Sequence, residues 1–439
     1  MKYIVCLVTL LTGIIYNCTA QAPAKTDTLT NATLANCVQY ALTHQPAVQQ
    51  SLIDQRITDR QIKSQLSVWY PQINFGASYQ INFELPAAAV NGDVLQEGAY
   101  NNSNIGFTGT QNIFNRDAIF ASRTAHDIRE QAKENTVSSK IDVTVNVAKA
   151  FYDVLLTQKQ IELTQSDIDR LERSLKDAYN QYQFGVVDKV DYKRATIALN
   201  NAKAQKKQYE ESLKEKYAYL YQQMGYADTT TLQLQYDSTT MAKDILIDTN
   251  QVVNFQNRIE YRQLETQRKL LSISVQYYKW GYVPTLSAFA AYNWQYLNQE
   301  FPPLYNTSYN YPYAGLTLSL PIFQGGKRYN DTKVSELQLQ RTDYDLKNLR
   351  NEVNTEFTAA MATYKSDLTD YNLLKDNLDL STDVYNTIQL QYRSGIKTYL
   401  DVITAESDLR SSEVNYTNAL YNVLSSKFDV EKALGSIQY

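Results

Sequence analysis

The sequence predicts a mixed fold, a membrane β-barrel sector joined to long α-helical coiled-coil segments, with the same unit present twice. First, the motif Tyr182-Gln-Phe-Gly185 recurs 210 residues later as Tyr392-Arg-Ser-Gly395. Second, two pairs of long segments contain neither glycine nor proline, which is typical of long helices. Third, two other regions alternate polar and apolar residues with a period of two, which is typical of β-strands.

The repeated motif also sets the predicted domain boundaries. Gly225, which follows the helical pattern of the first half, recurs as Gly435. A repeat of this length is too large for a short solenoid unit, so we expect a tandem copy of one helix–hairpin–helix unit. The predicted divisions are a signal peptide over 1–20, a first repeat over 21–225, a linker over 226–250 and a second repeat over 251–439.

The N-terminus is typical of a secretory signal peptide. Met1-Lys2 precedes an apolar run over 3–16 and the small-residue stretch 18–22, with cleavage expected after Ala20 or Ala22. A short membrane anchor is the alternative, but the apolar run is too short to span a bilayer. No later segment resembles a transmembrane helix. The exported chain would keep one cysteine, Cys37, which cannot form an internal disulfide.

In each repeat a helix is expected first, over 28–69 in the first repeat, and the longest helices come after the alternating regions. Glycine- and proline-free stretches predict helices over 117–184, 186–224, 327–394 and 396–434. Apolar or aromatic residues recur every seven positions at Val147, Val154, Ile161, Ile168, Leu175 and Tyr182, and again at Phe357, Tyr364, Tyr371, Leu378, Tyr385 and Tyr392. This heptad spacing predicts coiled-coil packing. Each of the longer helices would extend roughly 100 Å.

The alternating regions predict two β-hairpins, over 72–114 and 285–323, with strands over 72–83, 104–114, 285–296 and 313–323. Tyr79 and Leu318 belong to the apolar face, whereas Ser78 and Thr317 belong to the polar face. Long strands with one apolar and one polar face are typical of outer-membrane barrels, and a half-buried soluble hairpin is the alternative. Four strands cannot close a barrel, so closure would require several protomers, each supplying a four-stranded sector.

Composition and motifs favour neither an enzyme nor a nucleic-acid-binding protein. The net charge of −4 provides no basic surface for nucleic acid. The two histidines, His44 and His126, are isolated, so no zinc-ligand spacing is present. The sequence also lacks GxSxG, P-loop and GxGxxG patterns. We therefore predict no catalytic residues, no metal and no cofactor. The 36 tyrosines suit membrane interfaces and half-hydrated helix seams.

The segment from Tyr392 to Leu409, with its weaker copy from Tyr182 to Leu199 and the closing pair Leu434-Gly435, resembles the TolC-like outer membrane efflux proteins. The resemblance covers the whole exported chain. It implies a homotrimer in the Gram-negative outer membrane, with a twelve-stranded barrel and a twelve-helix tunnel extending into the periplasm. It further implies an exit duct for efflux or type I secretion, with the linker forming an equatorial belt.

The same resemblance assigns partners and site residues. Gly185 and Gly395 would mark helical tips that dock a periplasmic adaptor, which in turn links to an inner-membrane pump that supplies the energy. Tyr392 matches a tyrosine of the network that holds the periplasmic entrance shut, and Asp191 matches its carboxylate partner. Lys397 stands where an arginine is usual, so it keeps the charge but loses the bidentate fork.

Asp401 matches one acidic residue of the tunnel constriction, whereas Thr404 replaces the second, leaving three carboxylates in the trimer instead of six. Simpler structural roles remain open. Gly185 and Gly395 would equally serve as turn residues. Asp191 and Asp401 would also favour the dipole at a helix start. The alternative function is a non-transporting barrel with a coiled-coil spacer or adhesin role, which the paired tips and Asp401 disfavour.

Overall fold

A computed structural model of the protein describes residues 31–90, 93–185, 188–226, 232–235 and 245–439. The predicted signal peptide lies outside the described residues. Within them, the α-helices are α1 (Leu34–His44), α2 (Pro46–Leu66), α3 (Arg116–Gln183), α4 (Lys189–Met224), α5 (Ile259–Lys279), α6 (Lys327–Arg393) and α7 (Tyr399–Leu434). The strands are β1 (Gln72–Ile81), β2 (Ala87–Val90), β3 (Asp93–Gln96), β4 (Asn101–Phe114), β5 (Thr285–Asn298) and β6 (Tyr309–Ser319).

Four long strands form one antiparallel sheet in the order β1–β4–β5–β6. Since side chains alternate between faces, the register decides which residues lie together. The pairing places Tyr79 and Leu318 on the same face as Phe75, and Ser78 and Thr317 on the opposite face. The two-faced character predicted from the alternation is therefore present in the folded sheet.

All four long strands differ from the sequence prediction at one end or both. β1 ends at Ile81 instead of residue 83, and β5 ends at Asn298 instead of residue 296. β4 begins at Asn101 instead of residue 104, because Asn101 pairs with Ile81 on one side and Asn298 on the other. β6 runs over Tyr309–Ser319 instead of 313–323, because it ends opposite Thr285, the first residue of β5. The predicted loop after β1 also contains the separate hairpin formed by β2 and β3.

The single helix expected over 28–69 is wrong, because the chain forms α1 and α2 there with a short 3₁₀ turn over Ser67–Trp69. The break falls at Gln45, immediately before Pro46. Proline cannot donate the backbone hydrogen bond that a continuous helix needs, but it is well suited to the first turn of a new one. The side chain of Gln45 accepts a hydrogen bond from the backbone N–H of Ala47 and so caps α2.

The long helices α3 and α6 lie within one or two residues of their predicted bounds, whereas α4 and α7 begin three residues later than expected. The reason is local, because Asp188 and Thr398 act as N-caps and their extended backbones delay the helix. None of the described helices combines the length and apolar character needed to cross a membrane.

Helices of both repeats share one hydrophobic core in the middle of the helical body. α7 packs against both α3 and α6, and α3 also packs against α4. The heptad residues Val147 and Val154 of α3 are fully buried, as is Tyr364 of α6. The Tyr364 hydroxyl donates to the carbonyl of Ile245 at 2.7 Å and accepts from the N–H of Ile247 at 3.1 Å. These hydrogen bonds fix residues 245–247 of the linker to the helices.

Candidate functional site

The two turns that join α3 to α4 and α6 to α7 have matching glycines. Gly185 and Gly395 adopt left-handed backbone conformations with φ of 70° and 74°. This conformation is unfavourable for residues that have a Cβ atom. Their N–H groups donate to the carbonyls of Tyr182 and Tyr392 at 3.0 and 2.9 Å. A Cβ added at either glycine would meet no atom within 4 Å. The backbone thus favours glycine at both positions, and the space beside each glycine is open.

Asp401 holds the start of α7 together with Thr398. The Asp401 carboxylate accepts from the backbone N–H of Thr398 at 2.9 Å and from its hydroxyl at 2.7 Å. In return, the Thr398 hydroxyl accepts from the N–H of Asp401 at 3.3 Å, which completes a capping box. These hydrogen bonds from Thr398 lower the pKa of Asp401, so the carboxylate is ionised at neutral pH.

Lys397 lies 3.8 Å from Asp401, measured from Nζ to a carboxylate oxygen. Lys397 lies within the helix predicted over 396–434, and this placement is wrong, because α7 begins at Tyr399 and Lys397 belongs to the preceding turn. Thr404, one turn into α7, is exposed, and its hydroxyl donates to the carbonyl of Leu400 at 2.9 Å. Among the described residues, Lys397 is the one cation that forms an ion pair with Asp401.

Tyr392 joins the two hairpins. Its hydroxyl donates to the side-chain oxygen of Gln181 on α3 at 2.9 Å. Burial raises the pKa of Tyr392, with the nearby charges of Asp177 and Asp191 acting in the same direction and the Gln181 hydrogen bond opposing them. No hydrogen bond or ion pair between Tyr392 and Asp191 is found among the described residues of the single chain. Sequence analysis missed Gln181, because the two partners lie 211 residues apart and the glutamine belongs to no motif.

A second constellation was also missed, five charged residues between α3 and α7 that we call the buried ionic cluster. Arg170 lies 3.4 Å from Asp167, 3.6 Å from Glu406 and 3.4 Å from Glu413, and Arg410 lies 3.5 Å from Asp167. Asp167 and Glu406 are 1% and 2% exposed, so these charges are removed from water. The cluster connects the first helical hairpin to the second.

The cluster contains one carboxylate more than its guanidinium groups can neutralise. Neither oxygen of Glu406 accepts a hydrogen bond from the described residues. Burial raises the pKa of Glu406 to about 7, the charge of Asp167 adds to this, and Arg170 opposes it. Burial likewise raises the pKa of Glu413, again against the effect of Arg170. Glu406 is therefore a proton-binding group near neutral pH at the contact between the hairpins.

A signal for this cluster was present in the sequence. Glu406 lies four residues after Val402 and three before Leu409, both of which are buried, so it occupies the apolar stripe of α7. A carboxylate on such a stripe is expected either to have buried partners or to be neutral. Its buried partner could not be named in advance, because Arg170 belongs to α3, far earlier in the chain.

Comparisons with known proteins identify the family of this chain. The model of the family described as outer membrane efflux protein matches residues 37–226 and 255–436. The chain is 23% identical to outer membrane protein TolC of Vibrio cholerae serotype O1, over 86% of this chain and 84% of that protein. It is 20% identical to outer membrane protein TolC of Escherichia coli K12, over 92% and 82%.

Among solved structures, the outer membrane protein VceC of Vibrio cholerae superimposes with a TM-score of 0.73 at 13% identity, covering 92% of this chain and 96% of that one. This likeness shows a shared fold. The family match takes in most of the chain. The chain is therefore a member of the outer membrane efflux protein family, located in the outer membrane and extending into the periplasm.

Proposed function

We propose that the chain is the exit duct of a tripartite efflux or type I secretion system. In this proposal three copies form a passive channel-tunnel, a periplasmic adaptor docks on its helical tips, and an inner-membrane pump supplies the energy. The relatives named above are outer membrane proteins of an efflux family, which supports a channel. The trimer, the docking of an adaptor and the gating residues are proposed from features of this chain.

The main support for the proposal is the open edges of the sheet formed by β1, β4, β5 and β6. β1 and β6 are its outer strands, and within the described chain each pairs on one side only. Apolar side chains on this sheet are well exposed, with Phe75 at 61% and Leu318 at 67%. Each unpaired backbone N–H or C=O group costs about 2–7 kcal/mol in hydrocarbon. Pairing β1 of one protomer with β6 of the next would satisfy both edges, and three protomers would give twelve strands.

The helical body supports a tunnel that continues from this barrel. α3 contains 68 residues and α6 contains 67, so each extends roughly 100 Å from the sheet. Each protomer would contribute these two helices and their shorter partners α4 and α7, which gives twelve helices in a trimer. The linker over 226–250 would lie around the middle of this body, where Tyr364 binds its described end.

The tips support docking and closure. Gly185 and Gly395 lie in open turns at the ends of the paired helices, where an adaptor can reach them. We further propose that Tyr392 and Lys397, with Asp191 and neighbouring hairpin groups, latch the periplasmic entrance. Asp401 would form a ring of three carboxylates at the constriction, and Thr404 would leave the second ring position uncharged. A spacer or adhesin would need no such ring.

Two measurements test the architecture and the transport role separately. Native mass spectrometry of the purified protein in detergent should give three protomers, and a folded monomer or dimer would contradict the trimer. Planar-bilayer recordings should show discrete channel conductance. Trimers that never conduct would favour the spacer alternative over the duct.

Cysteine cross-linking in cells tests the docking site. Phe184→Cys and Ser394→Cys place a thiol beside each tip glycine without disturbing its backbone. Both should cross-link to cysteines in the hairpin of the cognate adaptor. Asp248→Cys, exposed in the linker, is the matched control. Cross-links formed only by the linker cysteine would move docking to the middle of the tunnel.

A further inference from the structure

We propose that a cavity just above the tips binds a small multivalent oxyanion, one that carries phosphate or carboxylate groups. The cavity has a volume of about 420 Å³ and lies between α3, α6 and α7. We call it the tip cavity. Because α7 packs against both α3 and α6 within one chain, the cavity is built from a single protomer.

The lining of the tip cavity is strongly cationic. Arg173 and Lys176 of α3 and Arg393 of α6 line it together with Arg170, whereas Asp177 is its one acidic lining residue. Arg170 is already paired within the buried ionic cluster. The other three cations form no ion pair within the part of the chain that the structure describes. Three guanidinium or ammonium groups beside a single carboxylate favour an anion that can accept several charge-assisted hydrogen bonds.

A buried hydroxyl provides a second, independent indication of a ligand. Tyr399 lines the tip cavity, is 3% exposed, and its hydroxyl has no hydrogen-bond partner among the described residues. The neighbouring tyrosines differ, since Tyr392 donates to Gln181 and Tyr385 accepts from Gln389. Leaving a buried donor unpaired is unfavourable, and an oxyanion in the cavity would accept from it.

The local backbone acts in the same direction. Tyr399 is the first residue of α7, and Val402, which also lines the cavity, follows within the first turn. The N-terminal end of a helix carries a partial positive charge, which favours an anion nearby. A phosphate or carboxylate group held here would contact α3, α6 and α7 together and so bridge the two hairpins.

Isothermal titration calorimetry of the purified full-length protein in detergent tests the site, with inorganic pyrophosphate and citrate as separate probes at constant ionic strength. Saturable binding of at least one probe, with one site per chain, is expected. Arg173→Gln and Arg393→Gln should each weaken binding about ten-fold, the effect of losing one charge-assisted hydrogen bond. Tyr399→Phe should also weaken it while leaving every charge in place.

Lys375→Gln is the matched control, because it removes one positive charge from an exposed position of α6 outside the cavity. It should leave binding unchanged. Binding of neither probe to the parent would overturn the proposal, as would an Arg173→Gln, Arg393→Gln double variant with parental affinity. Equal weakening by Lys375→Gln would overturn it too, because long-range charge alone would then explain the result. The measurement requires neither adaptor nor pump, so it is independent of the transport role.

Discussion

The guanidinium Nε of Arg170 lies 3.6 Å from a carboxylate oxygen of Glu406, across the contact between α3 and α7. Neither oxygen of Glu406 accepts a hydrogen bond from the described residues, although the residue is almost fully buried. Arg170 belongs to the first hairpin and Glu406 to the second. Protonation of Glu406 therefore changes the charge at the contact between the hairpins. This contact lies just above the tips that we propose to be the entrance.

Glu406 should make the stability of the helical body depend on pH. Its pKa rises from 4.5 to about 7 on folding, so between these values the folded chain keeps a proton that the unfolded chain releases. The free energy of unfolding should therefore fall as pH rises from 4.5 to 7, by at most about 3 kcal/mol per chain, and level off above. Thermal melts followed by circular dichroism at several pH values measure this.

Glu406→Gln keeps the neutral form at every pH and should flatten this dependence. Glu211→Gln is the matched control, because side-chain hydrogen bonds from Lys207 and Lys214 lower the pKa of Glu211 to about 2. Glu211 is then ionised in both the folded and unfolded chain above about pH 6, and its removal should leave the slope in place there. An unchanged slope in Glu406→Gln would show that other groups control the pH response.

The hydrogen bond between Tyr392 and Gln181 should restrain the entrance. Tyr392→Phe and Gln181→Leu each remove it, and each should raise single-channel conductance and weaken voltage gating. The double variant should resemble either single variant, because all three lose the same bond. Additive effects would show that the residues act separately. Lys397→Ala, recorded alongside, tests whether the adjacent charge contributes to the latch.

Asp401→Asn should lower the cation preference of the channel. Asparagine retains a side-chain oxygen that can accept from Thr398, so the helix cap is largely preserved while the charge is lost. Reversal potentials in a salt gradient measure the selectivity. Asp408→Asn, which removes an exposed carboxylate further along α7, should leave selectivity unchanged. Unaltered selectivity in Asp401→Asn would leave its role as that of a helix-capping residue.

The two faces of the sheet should tolerate charge differently. Phe75→Arg places a cation on the face predicted to contact lipid, near the middle of β1, and should cost about 2–4 kcal/mol there. Asn74→Arg, one residue earlier, faces the predicted lumen and should be tolerated. Leu318→Arg lies at the periplasmic end of β6 and should cost about 0–1 kcal/mol. The yield of heat-sensitive trimer on semi-native gels measures the effect of each variant. A lower yield for Asn74→Arg than for Phe75→Arg would reverse the assigned faces.

Tyr364→Phe should loosen the linker without opening a cavity. The substitution removes the hydroxyl that donates to Ile245 and accepts from Ile247, which leaves a buried carbonyl without its partner. A loss of about 1–3 kcal/mol in stability is expected. Hydrogen exchange should accelerate over residues 245–250, while the exchange of α3 stays close to parental. Unchanged exchange in the linker would mean that neighbouring contacts suffice to hold it.

Local patterns in the sequence predicted the bounds of the long helices and the faces of the strands. Glycine and proline positions delimit α3 and α6, the heptads identify buried Val147 and Tyr364, and the period of two assigns the faces of the strands. These features depend on local backbone preferences and on side-chain spacing within one element, both of which are present in the sequence. The tip glycines were predicted for the same reason.

The tertiary structure decided which side chains meet across elements. The hydrogen bond between Tyr392 and Gln181 and the contact between Arg170 and Glu406 depend on the packing of the two helical hairpins against each other. Spacing within one helix specifies a face but not the partner opposite it. The position of that partner is set by the packing of residues about 200 positions away, which no local pattern in the sequence encodes.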